Sequence, residues 1–271
     1  MRYLYSAVTD AGTVREENED CVMIQEFRTS IGPVVLAVLC DGMGGLAQGE
    51  VASAYVVQMF QTWAQTGIDR LCEAGIQDWQ IRQEWEEIVS QCNASIREYG
   101  FVNGFRTGTT LVAFLLTPSR YYVLNVGDSR AYEITDRTVR QLTEDQSVVS
   151  RDVRRGLITE EQARTDTRRN ILLQCIGVKE EVIGQFFFDT PEQDATYILC
   201  SDGFYHEITK QEMMTYLAPS QILDAAAMNE RAKYLIEQNK YRGERDNMTV
   251  AVIKICHEQE IKDNVTGGND Y

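Results

Sequence analysis

Apolar residues are spaced along the chain in two ways, and each predicts a different element. Short apolar runs near the start predict β-strands, at residues 3–9, 20–27 and 33–40. The third run is apolar almost throughout, which indicates a strand buried on both faces. Residues 49–66 and 78–99 instead carry apolar residues every three or four positions and contain no proline, so two long helices are expected.

The remaining pattern continues this mixture of strands and helices. Short β-branched segments predict further strands, at residues 109–116, 120–126, 130–135, 138–142, 183–188, 195–200 and 247–256. The first four of these are closely spaced, which predicts antiparallel hairpins rather than strand-helix-strand units. A capping box at Thr209 opens a helix, and a longer helix is expected over 220–239. Strands with helices in two separate groups indicate the α+β class.

Two segments differ from this pattern. Residues 143–170 are charged, carry six arginines and have a capping-box start at Thr159, so a surface excursion with a short helix is expected. Residues 258–271 are polar and rich in Gly, Asn and Asp, which predicts a disordered tail. No linker or repeat interrupts the chain, so residues 1–257 are expected to form one domain.

Charge and cysteine content narrow the possible functions. Lys and Arg number 26 against 41 Asp and Glu, a formal net charge of −15. This balance argues against nucleic acid or an anionic membrane as a partner and suits a protein that binds cations. The start of the chain has no long apolar run and no stretch approaches the roughly 18 apolar residues of a membrane span, so a cytoplasmic protein is expected. The seven cysteines form no C-x-x-C pair, which predicts buried reduced thiols.

Aspartates stand at the ends of several predicted strands. Asp41, Asp128 and Asp202 each follow an apolar strand with glycine beside them, while Asp20 and Asp246 each precede a strand. A carboxylate in such a place is desolvated unless a cation meets it there. Oxygen ligands without histidine suit Mg2+ or Mn2+ better than zinc. Asp-Gly steps are also ordinary turn chemistry, but turn chemistry does not predict that they recur after the most apolar strands.

These residues belong to an ordered set of motifs. The set comprises Arg15-x-x-Asn18-Glu19-Asp20, Asp41-Gly42-Met43-Gly44-Gly45, Gly108-Thr109-Thr110, Val126-Gly127-Asp128-Ser129-Arg130, Ser201-Asp202-Gly203 and Asp246-Asn247-Met248-Thr249-Val250. It resembles the type 2C, or PPM, protein phosphatases over residues 5–256, and the D-G-M-G-G form resembles their bacterial branch. The resemblance implies a four-layer α-β-β-α sandwich: two antiparallel sheets flanked by helix pairs, with the metals at one end.

The resemblance also implies a metal site for each acid. Asp41 would bridge two Mn2+ or Mg2+ ions, Asp202 and Asp246 would complete the first site, and the Gly42 carbonyl would help the second. Two further acids would have lesser roles. Asp20, assisted by Glu19, would contact metal through water, and Asp128 would share a third, weaker site with Asp202.

Arg15 is implied to grip the substrate phosphate, since its planar fork suits two phosphate oxygens. Without the motif, a surface arginine paired with Glu16 or Glu17 would be preferred. Arg15 and Asp41 are thus the implied catalytic residues. The implied reaction is hydrolysis of phosphoserine or phosphothreonine in proteins by a metal-activated water. The chain is expected to act as a monomer that opposes a membrane-anchored serine/threonine kinase.

Two positions depart from the family pattern, and segment 143–170 lies where the family has a mobile flap. Asp145-Gln146 replaces the common Asp-His pair, and Met43 replaces the histidine that animal relatives use as general acid, so the leaving group is expected to take its proton from water. The flap arginines suggest recognition of acidic phosphorylated substrates. The six acids among them make a solvated mixed-charge surface equally consistent.

Competing chemistries fit less well. A cysteine-dependent phosphatase needs Arg six positions after Cys, which occurs nowhere, and two histidines are too few for a histidine-rich metallophosphatase. Gly42-x-Gly44-x-x-Ala47 matches a relaxed dinucleotide-binding fingerprint, but Asp41 would repel the pyrophosphate. A pseudophosphatase is disfavoured because the expected metal ligands are present.

Overall fold

The computed structural model describes residues 1–43 and 48–256, so the predicted tail at 258–271 lies outside them. The strands of this part are β1 Arg2–Asp10, β2 Asp20–Thr29, β3 Gly32–Asp41, β4 Leu111–Leu116, β5 Tyr121–Val126, β6 Arg130–Ile134, β7 Val139–Gln141, β8 Gln185–Asp189, β9 Thr196–Cys200 and β10 Met248–Cys256. The α-helices are α1 Gly49–Ala74, α2 Asp78–Asn103, α3 Val148–Arg154, α4 Glu160–Thr165, α5 Asp202–Tyr205, α6 Lys210–Leu217 and α7 Ala225–Arg242. A 3-10 turn spans Pro219–Gln221.

The strands form two five-stranded sheets in which every pair is antiparallel. One sheet has the order β1-β10-β9-β6-β7 and the other the order β2-β3-β4-β5-β8. β10 therefore lies between β1 and β9, and β1 pairs with it along its whole length, from Arg2 opposite Cys256 to Asp10 opposite Met248. The first and last strands of the described chain are thus neighbours.

Three apolar interfaces stack these elements into four layers. α1 and α2 pack on the second sheet around the fully buried Trp85, the two sheets face each other, and α6 and α7 cover the first sheet. The two faces of β3 explain why its sequence is apolar almost throughout. Its alternate residues Val34, Leu36, Val38 and Cys40 face the helices, while the residues between them face the other sheet. The expected α-β-β-α sandwich is confirmed.

The structure differs from the expected hairpins at one connection. β4–β5 and β6–β7 are antiparallel hairpins, but β5 and β6 belong to different sheets. Gly127, with a φ of 104°, begins the short crossing, and Asp128 lies within it. Spacing alone predicted a hairpin there because a short connection looks the same in sequence whether its strands pair or change sheets.

Two short helices were also missed. α3 lies in the 143–170 segment, where only α4 was expected, and α5 follows directly after β9. Each is about one or two turns long, too short for a three- and four-residue apolar spacing to be recognised. The seven cysteines are free, and all but the half-buried Cys21 are buried, as predicted.

Candidate metal centre

The strand-end aspartates lie at one edge of the sandwich, because in an antiparallel pair the end of one strand is next to the start of its neighbour. Asp20 starts β2 and Asp41 ends β3, and these two residues are directly opposite each other. Asp202 is the first residue of α5, two positions after β9, and Asp246 lies two positions before β10. β9 and β10 are paired with Cys200 opposite Val250, so these two aspartates also lie at one end.

Burial and mutual repulsion raise the pKa values of Asp20, Asp41, Asp128 and Asp202. Burial raises the pKa of Asp41 far above its usual range, and the charges of Asp20, Asp202, Asp128 and Asp246 raise it further. Burial likewise raises the pKa of Asp20 to about 7, against hydrogen bonds from Thr249 and Ser201, and that of Asp128 to about 8. The five acids therefore form one electrostatic unit whose negative charge nearby cationic side chains offset only in part.

This unit fits hard divalent cations. Asp20 Oδ1 is buried without a hydrogen-bond partner, whereas Asp20 Oδ2 accepts a 2.8 Å bond from Ser201 Oγ. In residues 1–43 and 48–256, no group of three His, Cys, Asp or Glu side chains converges to hold an ion by itself. Mg2+ is commonly bound through one or two carboxylates and keeps several waters, so the arrangement suits such ions.

Hydroxyl and amide groups fix Asp41. Its backbone N–H donates to Thr110 Oγ1 at 3.0 Å, and its carbonyl accepts from Thr109 Oγ1 and from the Thr110 amide, each at 2.9 Å. Thr110 Oγ1 in turn lies 2.7 Å from Ser129 Oγ, which follows Asp128. The Gly-Thr-Thr motif thus ties β3 to the crossing between the two sheets.

Gly42 is held in a space that no side chain could share. Its amide donates to Glu19 O at 3.1 Å, and a Cβ would lie 2.6 Å from both Glu19 O and Gly49 O. The Glu19 carboxylate accepts from the Gly49 amide at 3.1 Å and so caps α1, where Gln48 provides no side-chain bond. Glu19 is therefore engaged with the helix N-terminus, where a negative charge is favourable.

Arg15 lies beside a candidate ligand rather than beside Glu16 or Glu17. Its Nη2 donates to Asp246 Oδ2 at 3.0 Å, and this bond is the largest influence that raises the Arg15 pKa. Its side chain is 36% exposed, so solvent and an incoming phosphate can reach it. The guanidinium therefore borders the aspartate cluster.

Asn247, the residue after Asp246, connects the start of β10 to the segment between β1 and β2. Its Nδ2 donates to the carbonyls of Ala11 and Glu17, each at 3.0 Å, and its Oδ1 accepts from the Glu19 amide at 2.9 Å. The motif asparagine is thus a structural clamp, a role that sequence alone did not reveal.

Gln146, at the position of the expected histidine, supports the turn before Asp128. The side-chain Oε1 of Gln146 accepts from the backbone amide of Gly127 at 2.8 Å, and its Nε2 donates to Ile183 O at 3.0 Å. The backbone amide of Gln146 also donates to Gly127 O at 2.9 Å. The preceding Asp145 pairs with Arg130 at 2.7 Å. A neutral amide can therefore fix this turn without an imidazole.

Three of the six flap arginines form ion pairs within the flap. Arg151 and Arg168 both contact Asp152, at 2.9 and 3.1 Å, and Arg154 contacts Glu144 at 2.9 Å. The flap therefore neutralises part of its own positive charge, in line with the mixed-charge interpretation.

His206 and Glu244 were not predicted as site residues. His206 Nε2 lies 3.7 Å from Asp202 Oδ2, and Nδ1 lies 3.2 Å from Glu244 Oε2. Burial alone would lower the pKa of His206, but the bond to Glu244 and the charge of Asp202 outweigh it and raise this pKa. The four-residue spacing from Asp202 was a usable signal, because residues i and i+4 share a helix face. His257 lies outside the described residues.

Comparison with known proteins identifies the family. The Protein phosphatase 2C family profile matches residues 16–237. Serine/threonine phosphatase stp of Listeria welshimeri is 35% identical over 248 residues, covering 91% of this chain and 93% of its own. Protein phosphatase PhpP of Streptococcus pneumoniae is 29% identical and covers 93% of this chain and 98% of its own. The chain belongs to the protein phosphatase 2C family.

Solved structures agree with this assignment. The S. agalactiae serine/threonine phosphatase matches with a TM-score of 0.80 at 28% identity, covering 94% of this chain and 100% of its own. The Mycobacterium tuberculosis phosphatase PstP/Ppp matches with a TM-score of 0.78 at 30% identity, covering 94% and 99%. A PstP catalytic domain in complex with two manganese ions matches at 0.73 and 29% identity, with 94% and 99% coverage. The chain thus has the bacterial PPM fold.

Two other observations bear on the expectations from sequence. The dinucleotide-binding alternative is wrong, because residues 61–70 lie inside α1 and the sheets contain only antiparallel pairs. Among the helices in the described part of the chain, none combines the length and the apolar character needed to cross a membrane.

Proposed function

We propose that this chain removes phosphate from phosphoserine and phosphothreonine in proteins, using divalent cations held by its aspartate cluster. The observation that supports this most is the electrostatic interaction among Asp20, Asp41, Asp128 and Asp202, whose pKa values are raised by burial and by the charges of neighbouring aspartates. Protein phosphatase 2C is the family of the chain, and its relatives are bacterial serine/threonine phosphatases.

The candidate ligands divide between two ions and a third, weaker one. Asp41 would be shared by the two main ions, Asp202 and Asp246 would complete one of them, and the Gly42 carbonyl would serve the other. Asp20 would act through water and Asp128 would hold the third ion together with Asp202. Either Mn2+ or Mg2+ suits these oxygens. When bound, the cations acidify water for attack on phosphorus and offset the charge of the phosphoryl oxygens.

The chain's own residues would bind and orient the substrate. Arg15 would bind two phosphate oxygens, and its bond to Asp246 already orients its guanidinium at the cluster edge. Thr109 and Thr110 hold the Asp41 backbone in place. Met43 has no proton to donate, so the leaving group would take its proton from solvent.

Partners follow from the same proposal. Substrates would be proteins phosphorylated by a serine/threonine kinase, and the chain would act on them as a cytoplasmic monomer. The net charge of −15 supports protein substrates over nucleic acid.

The decisive experiment compares phosphothreonine-peptide hydrolysis with Mn2+, with Mg2+ and after chelation by EDTA. Activity is expected with either metal and none after chelation. Asp41→Asn should remove activity while its circular dichroism spectrum stays that of the wild type. Asp189→Asn is the matched control and should keep full activity, because Asp189 is the exposed last residue of β8. Full activity after chelation would contradict the proposal, and an inert wild type would indicate a pseudophosphatase.

A further inference from the structure

A buried His-Glu pair connects the two aspartates that would complete the first metal site. The side chains of His206, Glu244 and Asp202 are only 16%, 7% and 13% exposed. His206 is the C-cap residue that follows α5, and its backbone amide donates to Asp202 O at 3.0 Å. The imidazole therefore projects on the same side as the Asp202 carboxylate.

Glu244 contacts both halves of the site. Its Oε1 accepts from the Asp246 amide at 3.0 Å and from the Arg245 amide at 2.6 Å, while its Oε2 faces His206 Nδ1 at 3.2 Å. Both carboxylate oxygens of Glu244 are therefore occupied by contacts within the protein, so Glu244 is not counted among the candidate ligands.

The contacts form a continuous path from one aspartate to the other. It runs from the Asp202 carboxylate through the imidazole of His206 and the carboxylate of Glu244 to the backbone of Asp246. Asp202 and Asp246 otherwise lie on different elements, at the start of α5 and two positions before β10. A ligand pair binds a cation tightly only when outer groups hold both members in place.

We propose that His206 and Glu244 are positioning residues that set the relative placement of Asp202 and Asp246, and thereby the affinity of the cation site these aspartates share. This inference rests on the proposed function. Both residues act through Asp202 and Asp246, so their effect is on metal binding.

The test measures Mn2+ affinity directly, by calorimetric titration of protein stripped with EDTA. Glu244→Ala and His206→Phe should each raise the dissociation constant of the tightest Mn2+ site by about 10- to 100-fold. Glu244→Gln should lose less than about tenfold, because an amide oxygen still accepts from the backbone of Asp246. Glu230→Gln on α7, where the glutamate side chain is 74% exposed, is the matched control and should bind Mn2+ as the wild type does.

Two further readouts separate positioning from a general structural defect. Saturating Mn2+ should restore the wild-type kcat of each variant on p-nitrophenyl phosphate, and urea unfolding of the metal-free variants should stay cooperative. The double variant should bind no more than about twofold more weakly than the poorer single variant, since residues that act as one unit are not additive.

Affinities within about twofold of the wild type for both Glu244→Ala and His206→Phe would overturn the proposal, as would losses that multiply in the double variant. A kcat that saturating Mn2+ does not restore would overturn it too. Failure of the wild type to bind Mn2+ or to hydrolyse p-nitrophenyl phosphate would instead contradict the proposed function itself. The two failures are therefore distinguishable.

Discussion

Raising the pH should destabilise the metal-free protein, and cations should reverse the effect. The folded-state pKa of Asp20 is raised to about 7, chiefly by burial, from the ordinary value of 3.8. The folded protein therefore holds a proton that the unfolded chain has already lost. This contribution to stability is complete below the ordinary pKa and disappears as the pH rises through the folded-state value.

The size of the effect follows from the pKa of Asp20. One pKa unit corresponds to about 1.4 kcal/mol, so charging this group between pH 5 and pH 8 costs about 3 kcal/mol of unfolding free energy. A domain of this size shifts its Tm by about 2 °C per kcal/mol, which predicts a decrease of roughly 6 °C. Asp128, with a pKa raised to about 8, changes stability in the same direction.

The assay is thermal unfolding across this pH range, with EDTA in one series and excess Mn2+ in the other. The EDTA series should fall with pH and the Mn2+ series should not, because bound cations neutralise the cluster. Asp20→Asn cannot titrate and should make the EDTA series fall less steeply by about 3 kcal/mol, whereas the exposed Asp189→Asn should leave the slope unchanged. Parallel curves with and without metal would refute the assignment of the raised pKa values to a cation site.

Three other changes test the surroundings of the site. Gly203→Ala should unfold the protein or abolish Mn2+ binding, because the added Cβ overlaps the carbonyl oxygen of Asn247; calorimetric titration and circular dichroism detect either result. Gln146→Ala should cost about 1–3 kcal/mol in urea unfolding, because the buried Gly127 amide loses its acceptor. Arg155→Glu, a charge reversal on an exposed flap residue, should raise KM for an acidic phosphopeptide and leave kcat unchanged, as measured by steady-state kinetics.

Each of these has a contrasting control. Gly104→Ala, at a glycine where a Cβ would meet nothing within 4 Å, should leave Mn2+ binding intact although its φ of 77° strains the backbone. Gln146→Glu keeps an acceptor for Gly127, so stability equal to that of Gln146→Ala would argue against the hydrogen-bond explanation. An unchanged KM for Arg155→Glu on the acidic peptide would favour the mixed-charge interpretation of the flap.

Long elements and strand-end acids were readable from the sequence because each leaves a local pattern. The apolar run of β3 and the spacing in α1 and α2 depend only on neighbouring residues. The position of Asp41 could be predicted because the apolar run of β3 ends at this residue, which places its carboxylate at the end of a buried strand. The family motifs then supplied the grouping of separated acids.

Features that depend on contacts between distant residues could not be read in this way. The crossing between β5 and β6 is decided by which sheet each strand joins, and that depends on β8 and β9 much later in the chain. Glu19 caps α1 across 30 positions, and Asn247 binds residues more than 200 positions away. The contact between His206 and Glu244 spans 38 residues, so no local pattern indicates it.

The position of β10 between β1 and β9 has a consequence for folding during synthesis. β1 finds its hydrogen-bonding partner only in β10, the last strand of the described chain, and Asp246 is among the last site residues to be synthesised. A chain still emerging from the ribosome therefore keeps β1 as an unpaired edge, open to non-native pairing. Phosphatase activity cannot arise before β10 has been synthesised and has paired with β1.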